Sequence, residues 1–260
     1  MSEIKTKIQR RERIGIMDDL RGLSVFCMIF YHSFFLLGEV FGSSSGAWLF
    51  DFFTPLQPIF AGIFIIVSGV SSNFSRSNAK RGIRLLGIAL AFTAITVLLL
   101  PKLKINDLEI RFGILHMLSL AMLIYALVRP LLDKIPETWG FAIFIMLFFL
   151  TMRIQLRKIG VPYLLEWDLP ASLYQNEWLF PFGFRRIDFK SADYFPLMPF
   201  GFLFLAGTFL GKLPTPDWAK PVRARPLAFL GRHALWIYIV HQPVIMGLFA
   251  VIDWIVKLFS

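Results

Sequence analysis

Three of the four histidines, His32, His116 and His241, sit inside long apolar runs. An imidazole in such a setting can act as a general base, a nucleophile or a proton relay. Ionisable groups inside a membrane span are costly and mark a pathway or a site. Each histidine falls in a different expected helix, and each lies three residues to the outer side of that helix's midpoint. Three residues are about 4.5 Å at the helical rise. Three imidazoles at one depth point to a shared cavity. The plainer alternative is that each ring hydrogen-bonds a neighbouring helix. Three histidines also match a zinc ligand set, but no carboxylate stands at their level, and no metal is expected.

A second polar group is expected at the opposite, cytoplasmic face. It comprises Asp18 and Arg21 before the first span, Ser68, Ser71 and Arg76 at the end of the second, then Arg81 and Arg84. Arg232 and His233 enter the last span at the same face. Cations beside small polar residues can hold phosphates, which makes these nine residues a candidate cofactor site. The same residues also fit ordinary membrane anchoring with close helix packing. Arg111 and Asp193 flank the outer mouth, as candidate substrate contacts or as interfacial, snorkelling groups.

The elements that must carry these residues follow from composition. Of 260 residues, 57% are hydrophobic and 17% charged, 29 are Phe, and the mean hydropathy is +0.65. Soluble domains hold about 25% charged residues, so this chain is too apolar for water. The excess is gathered in seven segments, near 20–38, 55–73, 83–100, 110–128, 138–154, 194–211 and 228–248. Each is near the length that crosses about 30 Å of hydrocarbon. The expected fold class is therefore all-α, a polytopic membrane bundle of about seven transmembrane helices in a single domain over 1–260. The first span lacks a small-residue cleavage site and is not read as a signal peptide. Residues 249–259 either extend the last span or lie at the interface.

With the N-terminus cytoplasmic, the inner side holds 17 basic and 7 acidic residues, and the outer side 10 of each. The entire net charge of +10 then lies inside, as the positive-inside rule requires. That charge reports topology rather than nucleic-acid binding. Residues 1–18 form a basic cytoplasmic segment, and 155–193 a long extracytoplasmic loop, either a substrate platform or a packed cap. Cys27 is the only cysteine, which excludes a disulfide scaffold.

Five sequence blocks are familiar in their order. They are Asp18-Asp19-Leu20-Arg21-Gly22, residues 60–69, Arg111-Phe112-Gly113-Ile114-Leu115-His116, residues 193–199 with Leu205-Ala206-Gly207, and Leu230-Gly231-Arg232-His233-Ala234-Leu235 with His241-Gln242-Pro243. Together they resemble the heparan-α-glucosaminide N-acetyltransferase catalytic-domain family over roughly 14–248, most closely its small prokaryotic members. The resemblance implies transfer of an acetyl group from cytosolic acetyl-CoA to an amino sugar, another glycan or a lipid-linked sugar outside a plasma membrane. It matches Asp18 and Arg21 to the family's pair at the start of the first helix, and His241 to a late histidine. It puts Ser68 and Arg81/Arg84 at the CoA side. The family's essential histidine lies in the first outer loop, where residues 39–54 carry none. His32 stands where the family has an asparagine, and it is read as the replacement imidazole.

The resulting expectation is a membrane acetyltransferase in which His32 or His241 deprotonates the acceptor, either directly or through an acetyl-histidine. Lipids surround it and a homo-oligomer is compatible with it. The rival is a transporter or flippase using the histidines as a proton relay, although no internal repeat of the transporter kind stands out. A third reading is a non-catalytic membrane subunit.

Overall fold

The computed structural model describes residues 14–103 and 108–259. Most of the expected basic N-terminal segment, up to residue 13, lies outside the described residues. Among the described residues, nine helices carry the fold. They are α1 (Gly15–Phe35), α2 (Ser44–Phe53), α3 (Gln57–Ser72), α4 (Asn78–Ala94), α5 (Ile114–Leu132), α6 (Glu137–Thr151), α7 (Leu197–Leu210), α8 (Arg225–Arg232) and α9 (Ala234–Phe259). Wider-pitched π turns extend α1 over Leu36–Val40 and α4 over Ile95–Leu99. A two-stranded antiparallel hairpin, β1 (Lys158–Val161) with β2 (Leu165–Asp168), decorates an otherwise all-helical chain.

Among the described residues, six helical stretches are long and apolar enough to cross a membrane: Gly15–Val40, Ser44–Ser72, Asn78–Leu99, Ile114–Leu132, Glu137–Leu156 and Ala234–Ile252. The seventh apolar helix, α7, is shorter. The chain is a multi-pass membrane protein, and each of the seven expected segments is helical. Two boundaries differ in an informative way. The fourth span's helix begins at Ile114, not near 110, because 109–113 are held outside it by contacts described below. The expected last span divides at His233. Residues 225–232 carry charge on one side and pack Ala228 and Gly231 on the other, so they form a separate short helix. Beyond the break, α9 runs unbroken through 249–259.

The chain gathers into two compact units, one of Met1–Phe64 with Thr215–Ser260 and one of Ile65–Pro214. In the first, α1 lies against α8 at backbone distance. A Cβ at Gly22 would strike the Leu227 carbonyl, and one at Gly231 the Asp18 carbonyl. Small residues at such crossings let helices associate where lipid removes the hydrophobic drive. The approach is fixed by hydrogen bonds from Gly15 N to the Lys220 carbonyl (2.8 Å) and from Arg223 N to Asp19 Oδ2 (2.8 Å).

In the second unit α4 packs on α5, and α6 and α5 both pack on α7. Tyr125, Phe204 and Phe209 are fully buried there. The core carries a polar tie: Asn73 donates to the Thr208 carbonyl (2.6 Å) and accepts from Tyr125 Oη (3.2 Å). At the α5 end, Lys212 bridges to Asp133 (2.8 Å), and its hydrogen bond holds that carboxyl below the usual carboxylate range.

The glycine crossing has a direct test. Gly22→Ala and Gly231→Ala each drive a methyl group into backbone, which no rotamer change relieves. Overpacking of about 1–3 kcal/mol should lower the thermal midpoint in detergent by about 3–10 °C. Gly87→Ala, where a Cβ meets nothing within 4 Å, should leave it unchanged or raised.

Candidate active site

Two of the three intramembrane histidines meet. His32 on α1 and His241 on α9 stand with ring centroids 5.1 Å apart and ring planes at 53°. Tyr31 flanks His32 edge-on at 5.4 Å, and Tyr238 flanks His241 at 5.6 Å. His241 is buried. Pro243 sits inside α9 and removes one backbone hydrogen bond beside the pair. The π turn of α1 begins four residues beyond His32, and such turns cluster at functional sites.

Hydrogen bonds fix the ring protons. His241 Nδ1 lies 2.8 Å from the Tyr238 carbonyl. A carbonyl only accepts, so Nδ1 carries the proton and Nε2 presents its lone pair. That Nε2 is buried and has no hydrogen-bond partner. Gln242 Nε2 lies 3.1 Å from His32 Nδ1. An amide nitrogen only donates, so His32 Nδ1 accepts and its proton resides on Nε2. The pair thus offers one bare base and one ring N–H donor. Gln242, next in sequence to the expected histidine, was not among the expected site residues. Its adjacency to His241 is the signal that marks it.

His116 belongs to the other unit and has a different setting. It is the third residue of α5 and buried. Its Nδ1 accepts from Gly113 N (3.2 Å), and its Nε2 meets Thr93 Oγ1 (3.1 Å), which itself donates to the Ile110 carbonyl (2.8 Å). Both ring nitrogens are therefore employed at the helix start. Asp193 acts at the same place. It is buried, and its Oδ2 accepts from Ile114 N (3.0 Å). A carboxylate at a helix N-terminus satisfies an orphan N–H and complements the dipole. A Cβ at position 113 would strike that carboxylate, so Gly113 leaves the room in which the carboxylate caps the helix. Ala192 N pairs with the Glu109 carbonyl (2.8 Å) and Phe195 N with that of Phe112 (3.3 Å). These pairings hold 109–112 outside the helix and delay the start of α5. Arg111 is exposed and paired with Glu109 at 2.9 Å.

The expected cofactor residues divide between the units. In the first, Arg21 pairs with the buried Asp18 (3.3 Å), while the buried Asp19 leaves its Oδ1 without a hydrogen bond. Arg232 is exposed, and His233 donates through Nδ1 to the Phe229 carbonyl (2.9 Å). In the second, Ser68 is buried, Ser71 Oγ donates to the Val67 carbonyl (2.7 Å), and Arg76, Arg81 and Arg84 are exposed. Among the described residues no group of three or more His, Cys, Asp or Glu side chains is placed to hold a metal ion.

The fold is that of a multi-pass helical membrane protein, and it carries a histidine pair in which the buried His241 presents a bare nitrogen and His32 an N–H. Comparison with known proteins gives that class its family. Residues 13–243 match heparan-alpha-glucosaminide N-acetyltransferase, catalytic, so the chain belongs to this family of transmembrane acetyltransferases. No curated protein and no solved structure matches it.

The cap reading of Asp193 and His116 predicts a loss of stability. Loss of a helix N-terminal partner costs about 0.5–2 kcal/mol, so Asp193→Ala and His116→Ala should each lower the thermal midpoint by a few degrees. Transfer per folded molecule in His116→Ala should stay close to wild type. A deep loss of rate in the fully folded variant would instead put His116 in the chemistry.

Proposed function

We propose that the protein moves an acetyl group from acetyl-CoA to an acceptor amine or hydroxyl, on an amino sugar or related glycan, from outside the membrane. The observation that carries this reading is the buried, unpartnered Nε2 of His241 beside the N–H of His32. The acceptor nitrogen attacks the thioester carbonyl carbon, forming the C–N bond, and His241 Nε2 takes its proton. The His32 N–H supports negative charge on the carbonyl oxygen. When the C–S bond breaks, the imidazolium of His241 returns the proton to the departing thiolate. Acetylated acceptor and free CoA thiol leave, with the ring back in its starting state. No acetyl-histidine is required.

The donor's phosphates are assigned to the opposite end of α1. Arg21 and His32 are eleven residues apart. At 3.6 residues per turn that is close to three whole turns, so the two share one helix face about 16 Å apart. An extended pantetheine arm covers a separation of this scale. Arg232, following Gly231 at the α1–α8 crossing, adds a cation at the Arg21 end, with His233 next to it in the chain. In the topology read from the sequence, Ser68, Ser71, Arg76, Arg81 and Arg84 also lie on the cytoplasmic side and are assigned to the donor's approach. The location assigned is the plasma membrane.

The test is transfer of labelled acetyl from acetyl-CoA to glucosamine oligomers by purified protein in proteoliposomes. His241→Gln should lower the rate by about 10²–10⁴-fold, and His32→Ala by about 10²–10³-fold. Gln242→Ala, which only releases the His32 ring, should fall between these variants and wild type. Donor affinity should hold in all three and weaken in Arg21→Gln. Near-wild-type transfer by folded His241→Gln would falsify the assignment. A protein that neither binds nor consumes acetyl-CoA would be a transporter with a histidine relay.

A further inference from the structure

The hairpin between α6 and α7 is folded with its polarity reversed. Its register pairs Ile159 with Trp167 and Val161 with Leu165, and between them Lys158 with Asp168 and Gly160 with Glu166. Successive strand residues point to opposite faces, so the first two pairs make one wholly apolar face. Where only one face of a hairpin is packed, the apolar one turns inward and the polar one meets water. Here Gly160 is buried and Glu166 half-buried, while Val161, Leu165 and Trp167 are exposed. Ion pairs hold the hairpin this way round: Arg153 Nη1 donates to both Glu166 oxygens (2.8 and 2.9 Å), and Lys158 Nζ to one of them (3.4 Å).

The tip extends the apolar surface. Leu164 N closes a turn on the Val161 carbonyl (3.1 Å), with Pro162 second and Tyr163 third. Tyr163 has φ +64°, a left-handed backbone that favours glycine at that position of a turn. The strain falls on a residue that is 92% exposed, beside Leu164 at 81%. Nothing in the transfer chemistry uses either side chain.

Where the hairpin starts says what covers it. The membrane-length stretch Glu137–Leu156 ends two residues before β1 begins. Along that stretch Trp139, Ile143, Met146, Phe149, Met152 and Leu156 are all exposed, and a spacing of three or four residues puts them on one stripe. An exposed apolar stripe on a spanning helix faces lipid. The hairpin does not rise away from the end of that helix, because the Arg153 guanidinium lies 4.9 Å from the centre of the Tyr163 ring. The tip is therefore within one side chain's reach of the boundary where α6 leaves the membrane. Tyr and Trp at such a boundary, apolar in the ring and polar at the O–H or N–H, are the residues of the membrane–water belt.

We infer that the apolar face and tip of this hairpin lie in the headgroup region of the bilayer and anchor the α6–α7 connection to the lipid surface. In the topology read from the sequence this is the outer leaflet. Val161, Leu164 and Leu165 enter the acyl boundary, and Tyr163 and Trp167 stand at headgroup level. A second copy of the chain fits less well, since the surface is a narrow ribbon continuous with a lipid-facing stripe rather than a separate patch. The anchor is independent of the transfer reading.

The experiment places an environment-sensitive fluorophore on Leu164→Cys in a Cys27→Ser background, which removes the only native cysteine. Ile187→Cys, at a fully exposed position of the same connection, is the control. The purified protein is reconstituted in phosphatidylcholine vesicles that carry a spin label either near the headgroup or deep in the acyl chain. At position 164 the emission should shift to the blue and lose about half its intensity to the shallow spin label, and much less to the deep one, as for a group about 5–10 Å into the interface. At position 187 neither spin label should act. Both side chains are exposed, so thermal midpoints should stay at the wild-type value. Equal responses at the two positions, or quenching at 164 only from the water phase, overturns the anchor. An oxidative cross-link between copies through Leu164→Cys that survives dilution with added lipid also overturns it, and makes the hairpin a contact between two chains.

Discussion

One hydrogen bond decides what the histidine pair can do: His241 Nδ1 to the Tyr238 carbonyl, one turn back on the same helix. It commits the ring proton to the backbone and leaves Nε2 as a lone pair in an apolar interior. The Gln242 amide on His32 Nδ1 does the converse and puts that ring's proton on Nε2. Two chemically identical side chains become a base and a donor because their other nitrogens meet a carbonyl and an amide. Pro243 costs α9 a backbone hydrogen bond at this place, and the chain tolerates that loss where the base sits.

Such a pair is useful only if α1 and α9 are held in register, and apolar packing cannot do so in lipid, which solvates leucine as well as a neighbouring helix does. The solution in this chain is polar and steric. Gly22 and Gly231 bring α1 and α8 to backbone contact, and Asp19 accepts from Arg223 N just before α8 begins. Because α8 leads directly into α9, fixing α8 on α1 also fixes where α9 starts. The glycines, the acidic pair and the histidines are therefore one device spread over α1, α8 and α9.

The sequence disclosed this device unevenly. Hydropathy alone placed the seven apolar helices, since burial in lipid demands long uninterrupted runs. The meeting of His32 and His241 was legible from depth, because residues on antiparallel or parallel spans meet only at matching heights. His116 satisfied the same arithmetic and yet sits at a helix start. Depth was counted from a span beginning near 110, whereas Asp193 and the 109–112 pairings delay α5 to Ile114. A contact made across some eighty residues leaves no local periodicity to read. The ring tautomers were illegible for a related reason: Gln242 is adjacent in sequence, but its partner is 210 residues away.

His32 also bears on how the family's chemistry is carried out here. Residues 39–54, which fold as the α1–α2 turn and α2, contain no histidine, so an imidazole in the first outer loop is not available to this chain. His32 sits three residues before the end of α1, on a regular helix rather than a loop. A ring on a helix, flanked by Tyr31 and held by Gln242, moves less than one on a loop. That rigidity favours a donor fixed where negative charge develops over a nucleophile that must swing to carry an acetyl group. Under the proposed function, the placement of His32 on a helix and the tautomer lock both favour direct transfer with His241 as the proton carrier.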